Sequence, residues 1–360
     1  MSQNEIIRPA RLFDDTGKPQ NFGWSRKPYH SYDPTIASAA RNRISESDRY
    51  IVHSPTHLVV FEIRDDGWLG HVGISVIALR DKSRCTESFI SLMPFGSFEM
   101  PRGSLTGNTR WRRKKTHLDF INMGGGVRII KADIPKFGQN RSLRCALVLS
   151  EPSCESEHTG MLPQNSAGSH TEADSIVICQ PWMNDNNAFR YARCSPWFIT
   201  EGVIQFGGHE IIFTKGNAWG ILDWNRYVRP KSDIRYWAAA CGMSGGKPLS
   251  FCVGYSLADS SYGTENGFFV GGRLHKLEQV TFHIPLSNRL SPWRFTSNDN
   301  RLEMTFQPHQ ERIDRRNLFF HYSARHQLCG FFSGKVQLDD GTSLKFQNLT
   351  GFAERNKMQL

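Results

Sequence analysis

The sequence lacks most of the patterns that would name a chemistry. No run approaches the eighteen or so apolar residues that a membrane-spanning helix requires, and 39% hydrophobic against 22% charged residues is the balance of a globular chain. The first residues, Met1-Ser2-Gln3-Asn4-Glu5, have neither the basic start nor the apolar core of a secretory signal. Eight cysteines show no Cys-x-x-Cys spacing and no close His/Cys pairing, so they read as reduced thiols of a cytoplasmic protein rather than as a zinc site or disulfide framework. Gly124-Gly125-Gly126 opens no helix, and Ser244-Gly245-Gly246-Lys247 runs into Pro248, so neither cradles a phosphate. A Gly-x-Ser-x-Gly elbow and a His-x-x-x-His pair are both missing. No metal and no cofactor is therefore expected, and any chemistry comes from protons and shape: addition of water, isomerisation, cyclisation or cycloaddition.

Positive charge is plentiful. The formal net charge is +10, and the one dense basic run is Arg110-Trp111-Arg112-Arg113-Lys114-Lys115. Charge of this kind favours solubility and encounter rather than specificity. The run reads as a solvated strand end, with a weak contact to an anionic membrane left open and no nucleic-acid partner expected.

Residues 1–48 read as an extended arm followed by one short helix, with Asp33 as N-cap, Pro34 in the first turn, and Ile36, Ala40 and Ile44 on one face up to about Ser47. From Arg49 the period changes to two, as in His57 to Ile63 and Val72 to Leu79. Residues 49–201 are expected to form an N-terminal β-barrel with a long exposed loop at 151–174, where His158 and His170 lie. Residues 202–360 are expected to form a second barrel, with strands such as 301–307 and 279–284, and hairpin turns at Gly271-Gly272 and Asp340-Gly341. Many short alternating strands and almost no helix point to an all-β antiparallel barrel or sandwich.

The stretch Gly216 to Arg226 places a carboxylate and a guanidinium among tryptophans. Read as a strand, it puts Trp219, Ile221 and Asp223 on one face, where the carboxyl must be paired, hydrogen-bonded or protonated. Arg226 is its nearest partner in sequence. For proton transfer the candidates are Asp223, Glu265, His275 and His326; a carboxyl in an aromatic-lined cavity would be raised in pKa, and Trp219, Trp224 and Trp237 would steady a developing cation. Arg226, Lys276 and Arg294, with Asn266 and Trp293, are candidates to hold the polar end of a hydrophobic ligand. Each also has a plain structural reading: an ion pair pinning a strand end, a loop clamp at Glu265-Asn266, or a stacked Trp293-Arg294 pair closing a barrel.

Thr264-Glu265-Asn266, Gly272-Arg273-Leu274-His275-Lys276-Leu277, Pro292-Trp293-Arg294, His326-Gln327 and Gly351-Phe352-Ala353-Glu354 follow Leu222-Asp223-Trp224 in that order. In these words the chain resembles the family known as domain of unknown function 2804, most clearly over 202–355. The resemblance implies kinship with calycin or lipocalin-like double barrels of the carotenoid hydratase, tocopherol cyclase and pericyclase type. It thus implies two packed barrels and a cofactor-independent hydratase or cyclase acting on a hydrophobic small molecule such as an isoprenoid, polyketide or lipid. A non-catalytic carrier or sensor of such a ligand is the alternative.

Overall fold

The structure is a computed structural model that describes residues 3–138, 141–152, 173–318 and 321–359. Most of the loop expected at 151–174, with His158 and His170, lies outside the described residues. Two curled antiparallel sheets make up the body. In the first, of thirteen strands, Arg84–Leu92, Leu69–Ala78, His57–Asp65 and Ile44–His53 lead through Trp219–Val228 and Asp185–Phe206 to Arg141–Ser150, Val127–Phe137, Thr116–Gly124 and Thr109–Arg113. The rings of Phe89 and Trp111, 4.7 Å apart, draw its two edges together. The second sheet has nine strands and centres on Ser232–Ser244, Ser343–Gln359 and His321–Gln337. Tyr255 meets Phe282 at 5.4 Å across its curl.

The chain passes from the first sheet to the second between Val228 and Ser232. The division expected at 201/202 falls inside the strand Asp185–Phe206, and Trp219–Val228 belongs to the first sheet, paired with Ile44–His53 and Asp185–Phe206.

The short N-terminal helix is not formed. The Asp33 carboxylate accepts the backbone N–H and hydroxyl of Thr35, closing a local turn, and also holds Arg102 at 2.5 Å. Only a 3₁₀ turn at Arg41–Arg43 follows, and Ile44, expected on the helix face, instead starts a strand opposite Val228. Its apolar partners were better supplied by the sheet than by a solitary helix, whose nucleation is costly. Both glycine turns form as expected, with Gly271, Gly272 and Gly341 at positive φ (56°, 84° and 84°).

Alternation along the strands sorts side chains into three apolar clusters: one inside each curl and one between the two sheets. Among the described residues no helix is long and apolar enough to cross a membrane.

Candidate functional site

The strand Trp219–Val228 does alternate as its sequence implies. Trp219 and Ile221 join the cluster between the sheets, whereas Leu222 and Trp224 point into the first sheet's own core. Asp223 therefore faces the second sheet, and Arg226, three positions on, faces the other way. They cannot pair. Arg226 is wholly buried, lies 4.2 Å over the Trp224 ring, and donates to Asp48 at 2.9 Å and to the Pro101 carbonyl.

The partners of Asp223 come from further away. Strand register sets it opposite Arg49, which donates to it at 2.6 Å and grips Glu354 with two nitrogens at 2.7 and 3.0 Å. Asn225 donates at 2.9 Å from the same strand. Arg235, on the second sheet, reaches Asp223 at 3.3 Å and Glu265 at 2.9 Å, and Arg190 holds Glu265 with a two-pronged contact of 2.8 Å each. Arg325 grips Glu62 at 3.0 and 3.1 Å. Asp223 and Glu265 are thus brought together, as two ends of one charge network rather than as two free acids.

Burial alone would raise these carboxyls, and the guanidinium charges outweigh it. Arg235 and Arg49 hold Asp223 far below its ordinary range, and Arg190 and Arg235 hold Glu265 below its own. Glu354 is lowered by Arg49 and Glu62 by Arg325, each against its burial. The raised carboxyl expected at 223 or 265 is not found at either, because each shares buried space with two arginines instead of with apolar rings alone.

Between the sheets this network lines a cleft of about 60 Å³, walled by Arg49, Asp223, Asn225, Asp233, Arg235 and Glu354 among others. One wall residue differs from the rest. Asp233 accepts the backbone N–H of Leu257 at 3.1 Å and, among the described residues, has no guanidinium partner. Burial raises its pKa against that hydrogen bond and the more distant charges of Arg190 and Arg235.

The candidate tryptophans Trp219, Trp224, Trp237 and Trp293 do not wall this cleft. Trp237 is fully buried between the sheets and donates to Cys252 Sγ at 3.2 Å, and Trp293 is fully buried in the second curl, its Nε1 on the Arg289 carbonyl at 2.8 Å. Trp219 joins Trp237 in the cluster between the sheets, and Trp224 lies in the first sheet's own core. The remaining candidates are dispersed. Asn266 clamps a loop through Gly254 N and the Glu278 carbonyl, both at 2.7 Å; His326 meets Glu311 at 2.7 Å; His275 accepts from Asp339 N at 3.2 Å; and the exposed Arg294 pairs with Glu303 at 2.8 Å. Arg49, Arg190, Asp233, Arg235 and Arg325 do not stand out in the sequence. Their only local signal is a charged residue breaking an apolar strand, and long-range register supplies the rest.

The sequence from residue 3 to 360 matches the family model described as domain of unknown function DUF2804. The chain belongs to the DUF2804 family. No curated protein matches it. Among solved structures it is similar to CghA, at 9% identity and TM-score 0.56, covering 98% of this chain and 97% of that one. CghA solved with Sch210972 gives 10% identity and TM-score 0.53, covering 97% and 98%. Kievitone hydratase from Nectria haematococca is 8% identical over 87% and 88% of the two chains, with TM-score 0.44. At these identities the likeness to CghA shows a shared double-curl fold for this DUF2804 chain.

Lys276 of the DUF2804 chain stands apart from the cleft. Its Nζ donates to Thr264 Oγ1 at 2.7 Å and to the Leu277 carbonyl, 5.3 Å from the centroid of Trp24 on the N-terminal arm. Burial pulls its pKa down to about 7, against the charges of Glu278, Asp299 and Glu5. Between that value and the ordinary lysine value of 10.5 the unfolded chain carries a proton that the folded chain has lost, so Lys276 makes stability rise with pH across this window. Lys276→Met should flatten that rise and stabilise most at the acid end. Melting temperatures across the window test it, and an unchanged slope in the variant would refute it.

Proposed function

We propose that this chain is a cofactor-independent enzyme that takes a small molecule at the junction of its two sheets and transfers a proton to it, as in hydration, isomerisation or cyclisation. The observation that carries the reading is the Asp233 carboxyl: it stands on the cleft wall without a guanidinium, while its neighbours Asp223 and Glu354 are clamped by Arg49. Burial shifts this carboxyl toward its protonated form, which can donate, and fixed arginines nearby stabilise the anionic form that it leaves behind. Asp223 and Glu265 then act as electrostatic groups that hold Arg235 in place. The fold relative solved with Sch210972 supports a ligand-taking reading of the double curl. The walls here are charged, so the polar end of an otherwise hydrophobic molecule is what would enter.

The test is depletion. Parent protein and Asp233→Asn are incubated with a fractionated small-molecule extract and followed by mass spectrometry. At least one compound should be consumed by the parent and roughly 10²-fold or more slower by the variant. Activity should fall as pH rises through the raised pKa of Asp233, since the donor is the protonated form. Equal rates for both proteins would discard Asp233 as the acid. A compound that both proteins retain and neither consumes would favour the carrier reading, which the ionised, clamped state of Asp223 and Glu265 supports.

A further inference from the structure

We propose that the outer face of the strands Thr109–Arg113, Thr116–Gly124, Val127–Phe137 and Arg141–Ser150 docks on bilayers that contain anionic lipid. These four strands are consecutive and antiparallel, so register fixes which side chains share a side. Trp111, Leu118, Ile130 and Leu143 point inward, into the first sheet's core. The alternate positions point outward. One rung across the strands reads Arg110, Asp119, Lys131, and another reads Arg112, His117, Asp133, Arg144.

The turn beside these rungs adds Lys114 and Lys115, and the end of the strand Val127–Phe137 adds Lys136; all seven of these cationic residues are exposed. Only two acidic residues share the face. Asp119 is engaged by Arg112 at 2.8 Å and Asp133 by Arg144 at 3.4 Å. Seven positive against two negative side chains make an excess of five on one face of a chain whose net charge is +10. Such concentration is more than solubility needs, and it complements an anionic surface.

A lipid surface fits better than nucleic acid. Single-stranded nucleic acid is held by aromatic rings presented to the bases, and here Trp111, Phe120 and Phe137 are all turned into the core. The outward groups beside the charges are aliphatic instead: Met123 at one end of the face, and Ile90 and Leu92 on the strand Arg84–Leu92, whose Phe89 lies against Trp111. Exposed aliphatic side chains next to a basic face are what an interfacial contact uses.

The experiment is co-sedimentation of the full chain with phosphatidylcholine vesicles, with and without phosphatidylserine. Binding should require phosphatidylserine and fall with added salt. Each neutralised cation should weaken it about fivefold, so Lys131→Gln with Arg144→Gln should lose roughly 25-fold with an unchanged melting temperature. Lys335→Gln with Lys345→Gln, on the second sheet, should bind as the parent does. The proposal fails if the chain sediments with neither vesicle, sediments equally with both, keeps full affinity in the first double variant, or retains single-stranded DNA while leaving the vesicles unbound.

Discussion

Replacing Arg49 by methionine is expected to destabilise the protein by about 3–5 kcal/mol, the cost of stranding buried carboxylates without their counter-charge. The guanidinium is 3% exposed and touches two buried carboxylates, Asp223 and Glu354. At about 2 °C per kcal/mol, the low end for larger chains, the melting temperature should fall roughly 6–10 °C. Removing the stranded charges as well, with Asp223→Asn and Glu354→Gln, should recover at least about half of that loss, because the penalty belongs to the uncompensated ions rather than to the missing packing. A single variant that melts within about 2 °C of the parent would show that the network is not ionised in the folded state. The same reasoning sets the acid limit. Glu62, Asp223, Glu265 and Glu354 all have folded pKa values below their ordinary ones, so their contribution is complete above the unfolded carboxylate range near pH 4. It is lost as pH falls from there through the lower folded values.

Trp237→Ala should cost a comparable 3–5 kcal/mol, the usual range for emptying an aromatic from a packed core. The indole has no exposed surface, its N–H is engaged by Cys252, and it carries Arg49 and Arg235 over its ring at 5.0 and 5.4 Å. Its loss opens a cavity between the sheets and loosens two of the guanidiniums that wall the cleft. Trp237→Phe, which keeps a ring for the cations, should cost less than half as much. Thermal or urea unfolding of both variants checks this. A tryptophan that merely lined a ligand hollow could be trimmed with little loss of stability, so a change below about 1 kcal/mol in the alanine variant would restore the ligand-binding role read from the sequence.

Much of the candidate site was visible in part. Asp223 and Glu265 were singled out as charges in apolar surroundings, and both do enter one buried network. Their sequence neighbours imply the wrong sign for their pKa shifts, because Arg49, Arg190 and Arg235 lie 174, 75 and 30 residues from the carboxyls they neutralise. Arg226 is the nearest candidate partner in sequence, yet a separation of three in a strand puts two side chains on opposite faces. His275, His326, Asn266 and Arg294 carry no local mark that separates a catalytic group from one that ties a hairpin or clamps a loop.

Period-two alternation, glycine turns and the words shared with DUF2804 were enough to determine an all-β, double-curl chain, since strand patterning and positive-φ turns act over a few residues. Which sheet received Trp219–Val228, whether residues 33–47 coiled or extended, and which carboxyl stood unpaired were settled only by tertiary contacts. The physical reason is common to all three: the free energy of a buried charge or an apolar side chain depends on what faces it, and here what faces it arrives from strands far away in the chain.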